Sequence, residues 1–136
     1  MSSVLANPSL AFLALLFGCQ LLDGAGEPAN QEAIAYEAAM LPLLQENADL
    51  ARRFRDLAAD VKRRKVDAEQ VGTHLENALL PAAKDLETRL GEIKPGTPAL
   101  KKAHGHLLEA WSARTLSYQE VVSAWRARDL DAYAVA

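Results

Sequence analysis

From residue 36 onward the apolar positions of the chain fall into three stripes of helical period. Tyr36, Met40, Leu43, Leu50, Phe54, Leu57 and Val61 alternate steps of four and three, and Asn47 fills the one polar place in the series. Such steps return to one face every two turns, so the segment predicts a heptad-like amphipathic helix. Asn30 is its expected N-cap, with Gln31 and Glu32 in the first turn. Pro42 predicts a kink, because its ring clashes with the preceding turn and it donates no hydrogen bond. Asn47 is read either as a buried residue that sets register or as one that merely lies near a bundle end or faces a neighbour's polar group.

The second stripe runs through Ala68, Gly72, Leu75, Leu79, Ala82, Leu86, Arg89 and Ile93, widened by Val71, Ala78 and Leu90. Pro81 predicts a bend inside it, and the breaker run KPGTP from Lys94 to Pro98 ends it. Thr97 and Pro98 form an N-cap and N1 pair for a third helix, whose seam carries Leu100, His104, Leu107, Trp111, Arg114, Tyr118, Val121 and Trp125. The closing stretch RARDLDAYAVA either continues that helix or, capped by Asp129, opens a further helix of two turns. No alternation of period two is long enough to argue for a sheet. The expected fold is all-α, an antiparallel up-and-down bundle of three long helices with a short fourth at most.

That layout resembles an up-and-down four-helix bundle of the cytochrome b562 kind with its last helix cut short. The resemblance implies a haem held by a Met of the first helix and a His of the last. Met40 has the right type, but no His follows Asp129, so the haem is not expected here.

The N-terminal segment follows different rules. Leu10 to Cys19 is an uninterrupted apolar block that ends in the only cysteine of the chain. It is too short to cross a bilayer, which takes about 20 apolar residues, and has the length of a signal-peptide core. Leu16, Phe17, Gly18 and Cys19 close it. These four residues resemble the lipobox of bacterial lipoproteins, in which a small residue lets a peptidase reach the bond before an obligatory Cys. The resemblance implies that residues 1–18 are a signal peptide, that Cys19 carries a covalent lipid with two or three acyl chains, and that residues 19–30 are a flexible tether to a helical domain at 31–136. Gln20, in place of an Asp that would signal inner-membrane retention, implies the outer membrane. Phe17 stands where the family has a smaller residue, and residues 1–9 carry no Lys or Arg. An uncleaved anchor from Val4 to Leu22 and a buried helix with an inert thiol are the alternative readings of this block.

Charge and chemistry narrow the function classes. A net charge of -3 gives no bulk attraction to nucleic acid, and a single Cys excludes an internal disulfide and any multi-cysteine metal site. Apart from the lipid, no cofactor is expected. His104 and His106 stand two apart, about 200° around a helix, and cannot chelate one ion from it. Glu109 lies three residues after His106, which leaves only a weak candidate metal set of His104, His106 and Glu109. The basic residues Arg52, Arg53, Arg55, Lys62, Arg63, Arg64 and Lys65 read mainly as surface charges supported by Asp49–Arg53, Asp60–Arg64 and Arg63–Asp67 pairs, with a patch for anionic headgroups as the functional alternative. Trp111, Tyr118 and Trp125 are seven apart and face one way, as core or as a groove for a partner helix. No GxSxG, HExxH or phosphate-cradling glycine loop appears, so no catalytic residue is expected. The expectation is a non-enzymatic lipoprotein of the bacterial cell envelope that binds another envelope protein or its own copy. The rival reading is a periplasmic helical bundle that senses or carries a metal or small ligand.

Overall fold

The structure, a computed structural model, describes residues 27–128. The apolar block, Cys19 and Asp129 lie outside the described residues. Three long helices fill the described part, and no strand occurs among the described residues. Helix α1 spans Glu27–Lys62. Helix α2 is built of three pieces that follow without a break, Ala68–His74, Leu75–Leu79 and Leu80–Glu92. Helix α3 spans Pro98–Arg126.

Helix α1 begins before the expected cap at Asn30, so residues 27–30 of the expected tether are helical. Pro28 explains the earlier start. Its fixed φ suits the first turn, where its missing N–H has no helical partner to lose. The helix also runs through Pro42 without interruption. At the start of α2, Asp67 accepts from the backbone N–H of Gln70 at 2.8 Å while the Gln70 side chain accepts from the Asp67 N–H at 2.9 Å. This reciprocal capping box fixes where the helix starts.

Pro81 leaves its mark one turn earlier, in a π-helical turn over Leu75–Leu79 that is closed by the Leu80 N–H on the Leu75 carbonyl. A widened turn absorbs one extra residue and moves the proline ring away from the carbonyl it would strike in a regular helix. The consequence is a shift of the apolar stripe by one position. Before the turn Gly72 is buried, within it Leu75 and Leu79, and after it Leu80, Ala83, Leu86 and Leu90. Ala82, expected on the stripe, is only partly buried against the core, Leu86 and Ile93 keep their expected places, and Arg89 stays partly exposed. Arg89 instead holds Glu46 of α1 through two bonds of 2.6 and 2.8 Å and Asp85 at 3.0 Å. Those acceptors hold its guanidinium above its ordinary value and, through the same bonds, the Glu46 carboxyl below its own.

The core is one apolar cluster. Met40, Leu43 and Leu50 come from α1, the leucines and Ala83 named above from α2, and Trp111, Tyr118 and Val122 from α3. Each fully buried large side chain contributes about 1.5–3 kcal/mol. Phe54 and Val61, expected on the same seam, remain 40% and 45% exposed near the end of α1, and Ala68 is exposed at the start of α2. Specific contacts align the helices. Tyr36, Asn47 and Phe54 of α1 meet His104, Arg114 and Tyr118 of α3 in that order. Along α2 and α3, Leu90 meets His104, Glu87 meets Ser112, and Glu69 meets Arg128.

Candidate functional site

The histidine candidates separate at once. His104 is buried, and His106 lies on the exposed side of α3, its Nδ1 3.6 Å from the Glu109 carboxylate. The His104 Nε2 lies 3.0 Å from the Leu90 carbonyl, and a carbonyl only accepts, so Nε2 carries the proton. In the neutral ring Nδ1 then accepts from the Tyr36 hydroxyl at 3.1 Å. Both nitrogens are thus engaged, and the two rings meet edge to face. Burial, chiefly, pushes the imidazole below its ordinary value, and the Lys94 ammonium adds to the shift. The structure does not bring His104, His106 and Glu109 together as ligands. Among the described residues no group of three or more His, Cys, Asp and Glu side chains converges on one point.

The aromatic candidates belong to the core. Trp111 and Tyr118 are buried inside the chain, and Tyr118 stacks on Phe54 with ring centroids 5.3 Å apart. Trp125 lies over Gly72, where even a methyl group would overlap its ring, and its indole N–H donates to Glu69 at 3.3 Å. Of the two readings of this row, core or partner groove, Trp111 and Tyr118 follow the core reading, and Trp125 is partly buried against the same cluster. Arg114 lies in the same layer. Its guanidinium sits 5.4 Å from the Trp111 ring centre, donates to the Asn47 side chain, and has its Nε and Nη2 buried without another partner. Burial lowers its affinity for the proton and raises that of the Tyr118 hydroxyl's. Asn47 thus faces a polar group of the neighbouring helix.

One contact had no local signal in the sequence. The Glu32 carboxylate of α1 accepts from the backbone N–H groups of Gly96 and Thr97, the latter at 3.0 Å. A carboxylate from another helix thus caps the start of α3, while Thr97 makes no side-chain cap bond. Glu32 and Thr97 are 65 residues apart, beyond the reach of any capping pattern read along the chain.

An open groove of about 720 Å³ lies between α2 and α3. Gly91 and Ala113 leave it room, Leu108 and Leu116 give it an apolar lining, and Lys84, Glu87 and Gln119 stand on its polar side. Leu116 is 54% exposed. Sequence patterning overlooked this face, since its residues lie outside the three main stripes. On its polar side the Ser112 hydroxyl donates to the Glu87 carboxylate at 2.6 Å.

The basic cluster departs from its expected pairing as well. Arg52, not Arg53, bonds Asp49. Helix α1 ends at Lys62, so the regular spacing that would bring Arg64 to Asp60 and Arg63 to Asp67 is lost. No helix among the described residues is long and apolar enough to cross a membrane. Comparison with known proteins returned no matching family model, no matching curated protein and no matching solved structure.

Proposed function

We propose that this protein is a small, non-enzymatic lipoprotein of the bacterial cell envelope, anchored through Cys19 and acting by protein–protein contact. The observation that carries the reading is the sequence Leu16-Phe17-Gly18-Cys19 at the end of an apolar block too short to span a bilayer. One thioether-linked group with two acyl chains, or three chains after a further acylation, exceeds the threshold for stable anchoring. Gln20 after the cysteine favours the outer membrane. In this reading residues 1–18 are removed, and the helices form an antiparallel up-and-down bundle standing at the membrane. The order of contacts between α1 and α3, and the reversed order between α2 and α3, support that topology. The groove of α2 and α3, with Leu108 and exposed Leu116, suits a helix of a partner or of a second copy.

Intact mass of the membrane fraction, wild type beside Cys19→Ala, tests the anchor. The expected wild-type mass is that of residues 19–136 plus acylglyceryl groups, and the variant should lose it. An unmodified full-length mass in the soluble fraction would overturn the reading.

A further inference from the structure

Lys62, Arg63, Arg64 and Lys65 are all exposed where α1 ends. Elsewhere several arginines are held by carboxylates, as Arg89 is by Glu46, Arg126 by Glu76 and Arg128 by Glu69. Among the described residues, none of the cations at 62–65 forms an ion pair. The backbone explains why. Lys65 N–H bonds the Asp60 carbonyl at 2.9 Å and Arg64 N–H bonds the Val61 carbonyl at 3.0 Å. These are the two bonds of a Schellman stop, and Arg64 occupies its left-handed position with φ 55°. Glycine is the residue that position favours, because a side chain there crowds the following carbonyl. The helix dipole accounts for cations in the last turn but not for an arginine at the left-handed step.

The same end of α1 exposes apolar surface. Val61 supplies the carbonyl that Arg64 bonds and is 45% exposed, and Phe54 two turns earlier is 40% exposed. Cations beside exposed apolar side chains match the boundary of an anionic bilayer, where headgroups take the charge and the acyl region takes the apolar groups. Among the described residues, the buried donors left without a partner belong to Arg114 and not to this turn. The chain as a whole carries a net charge of -3. A long polyanion lying along the molecule would meet that acidic body, whereas a plane met by the tip meets the cations first.

We propose that the Lys62–Lys65 turn is a docking surface for an anionic lipid membrane. This rests on the end of α1 and is independent of lipid on Cys19. The test uses the full chain carrying Cys19→Ala, mixed with phosphatidylcholine vesicles with and without phosphatidylglycerol. The apolar block at residues 10–19 adds equally to both, so the difference between the two vesicle types is the reading. Each cation near a negative membrane is worth roughly fivefold in binding. Replacing all four by Gln should reduce the preference for anionic vesicles on the order of a hundredfold or more, and high salt should erase it in the parent. Arg64→Gly should keep or raise the melting temperature while weakening the preference about fivefold, which separates the charge from the fold. Equal binding to both vesicle types, or a preference that survives the four Gln substitutions, would overturn the proposal. Release from the anionic vesicles by single-stranded RNA at equal phosphate concentration would assign the surface to nucleic acid and overturn it too.

Discussion

At the end of the molecule that carries the α2–α3 connection, side chains close the helix termini from outside: Glu32 caps α3, and His104 donates to the Leu90 carbonyl in the last turn of α2. At the end that carries the α1–α2 connection, each terminus is finished by its own neighbours. Asp67 and Gln70 cap α2 locally, and α1 stops in a left-handed arginine. The first arrangement ties all three helices together and buries His104. The second spends no cross-helix contact on Lys62–Lys65 and leaves them to solvent. The contrast teaches that a basic residue at a helix end is not interchangeable with another: the same helix-surface logic that predicts an ion pair fails where the helix has already stopped.

The comparison breaks most severely at Gly72. A Cβ built there would lie 2.1 Å from the Trp125 ring, a rigid group that cannot fold aside. Gly72→Ala is expected to cost about 2–3 kcal/mol, read as a lower urea midpoint with an unchanged slope. If stability were unchanged, Trp125 would not be seated on α2 as described.

At the opposite end, His104→Leu should cost about 2 kcal/mol by leaving the Tyr36 hydroxyl and a Leu90 lone pair without their buried partner. The same residue gives a pH signature. The folded-state value of His104 is held below the ordinary 6.5 by burial, so the unfolded chain takes the proton first as pH falls. Its contribution is complete above about pH 6.5 and is lost on further acidification, because protons then favour the unfolded state. Denaturation at a series of pH values should show a steeper acid loss for the parent than for His104→Leu. Parallel curves would mean that His104 is protonated as readily in the fold as outside it.

Glu32→Gln sharpens the contrast by a smaller amount. It keeps one acceptor oxygen but removes the negative charge at the start of α3, with an expected loss of about 0.5–1 kcal/mol. Thermal melts at low and high salt would locate the effect, since the charge part shrinks when screened. Smallest of all, Arg64→Gly should leave stability unchanged or raise it by up to about 1 kcal/mol, as the left-handed step loses its side-chain crowding. A clear loss would mean that the Arg64 side chain stabilises the turn by a contact of its own.

Much of the helical layout was legible along the chain because its signals are local. The stripe through Met40, Leu43 and Leu50 marks the buried face of α1, and KPGTP marks the break before Pro98. His104, Trp111 and Tyr118 stand on the predicted seam, and all are buried. In the second half of α2, Leu86, Leu90 and Ile93 lie where the stripe puts them, but Arg89 does not, because periodicity assumes a constant turn and the π turn ahead of Pro81 adds a residue. The aromatic row left core and partner groove both open for a related reason. A stripe shows that a face is apolar, but not whether the chain itself has enough helices to cover it.

Three helices, most of their apolar faces and the motif at Cys19 are written locally along the chain, since each depends on residues within a few turns of one another. Only the tertiary structure decided that Glu32 caps α3, that Asn47 receives Arg114, that Gly72 makes room for Trp125, and that α2 and α3 leave a groove beside Leu116. Those pairings join residues 53 or more positions apart or depend on the one-residue shift in α2, and chain statistics carry no distance between such positions. They are set by close packing, where the volume of one side chain fixes the room left for another.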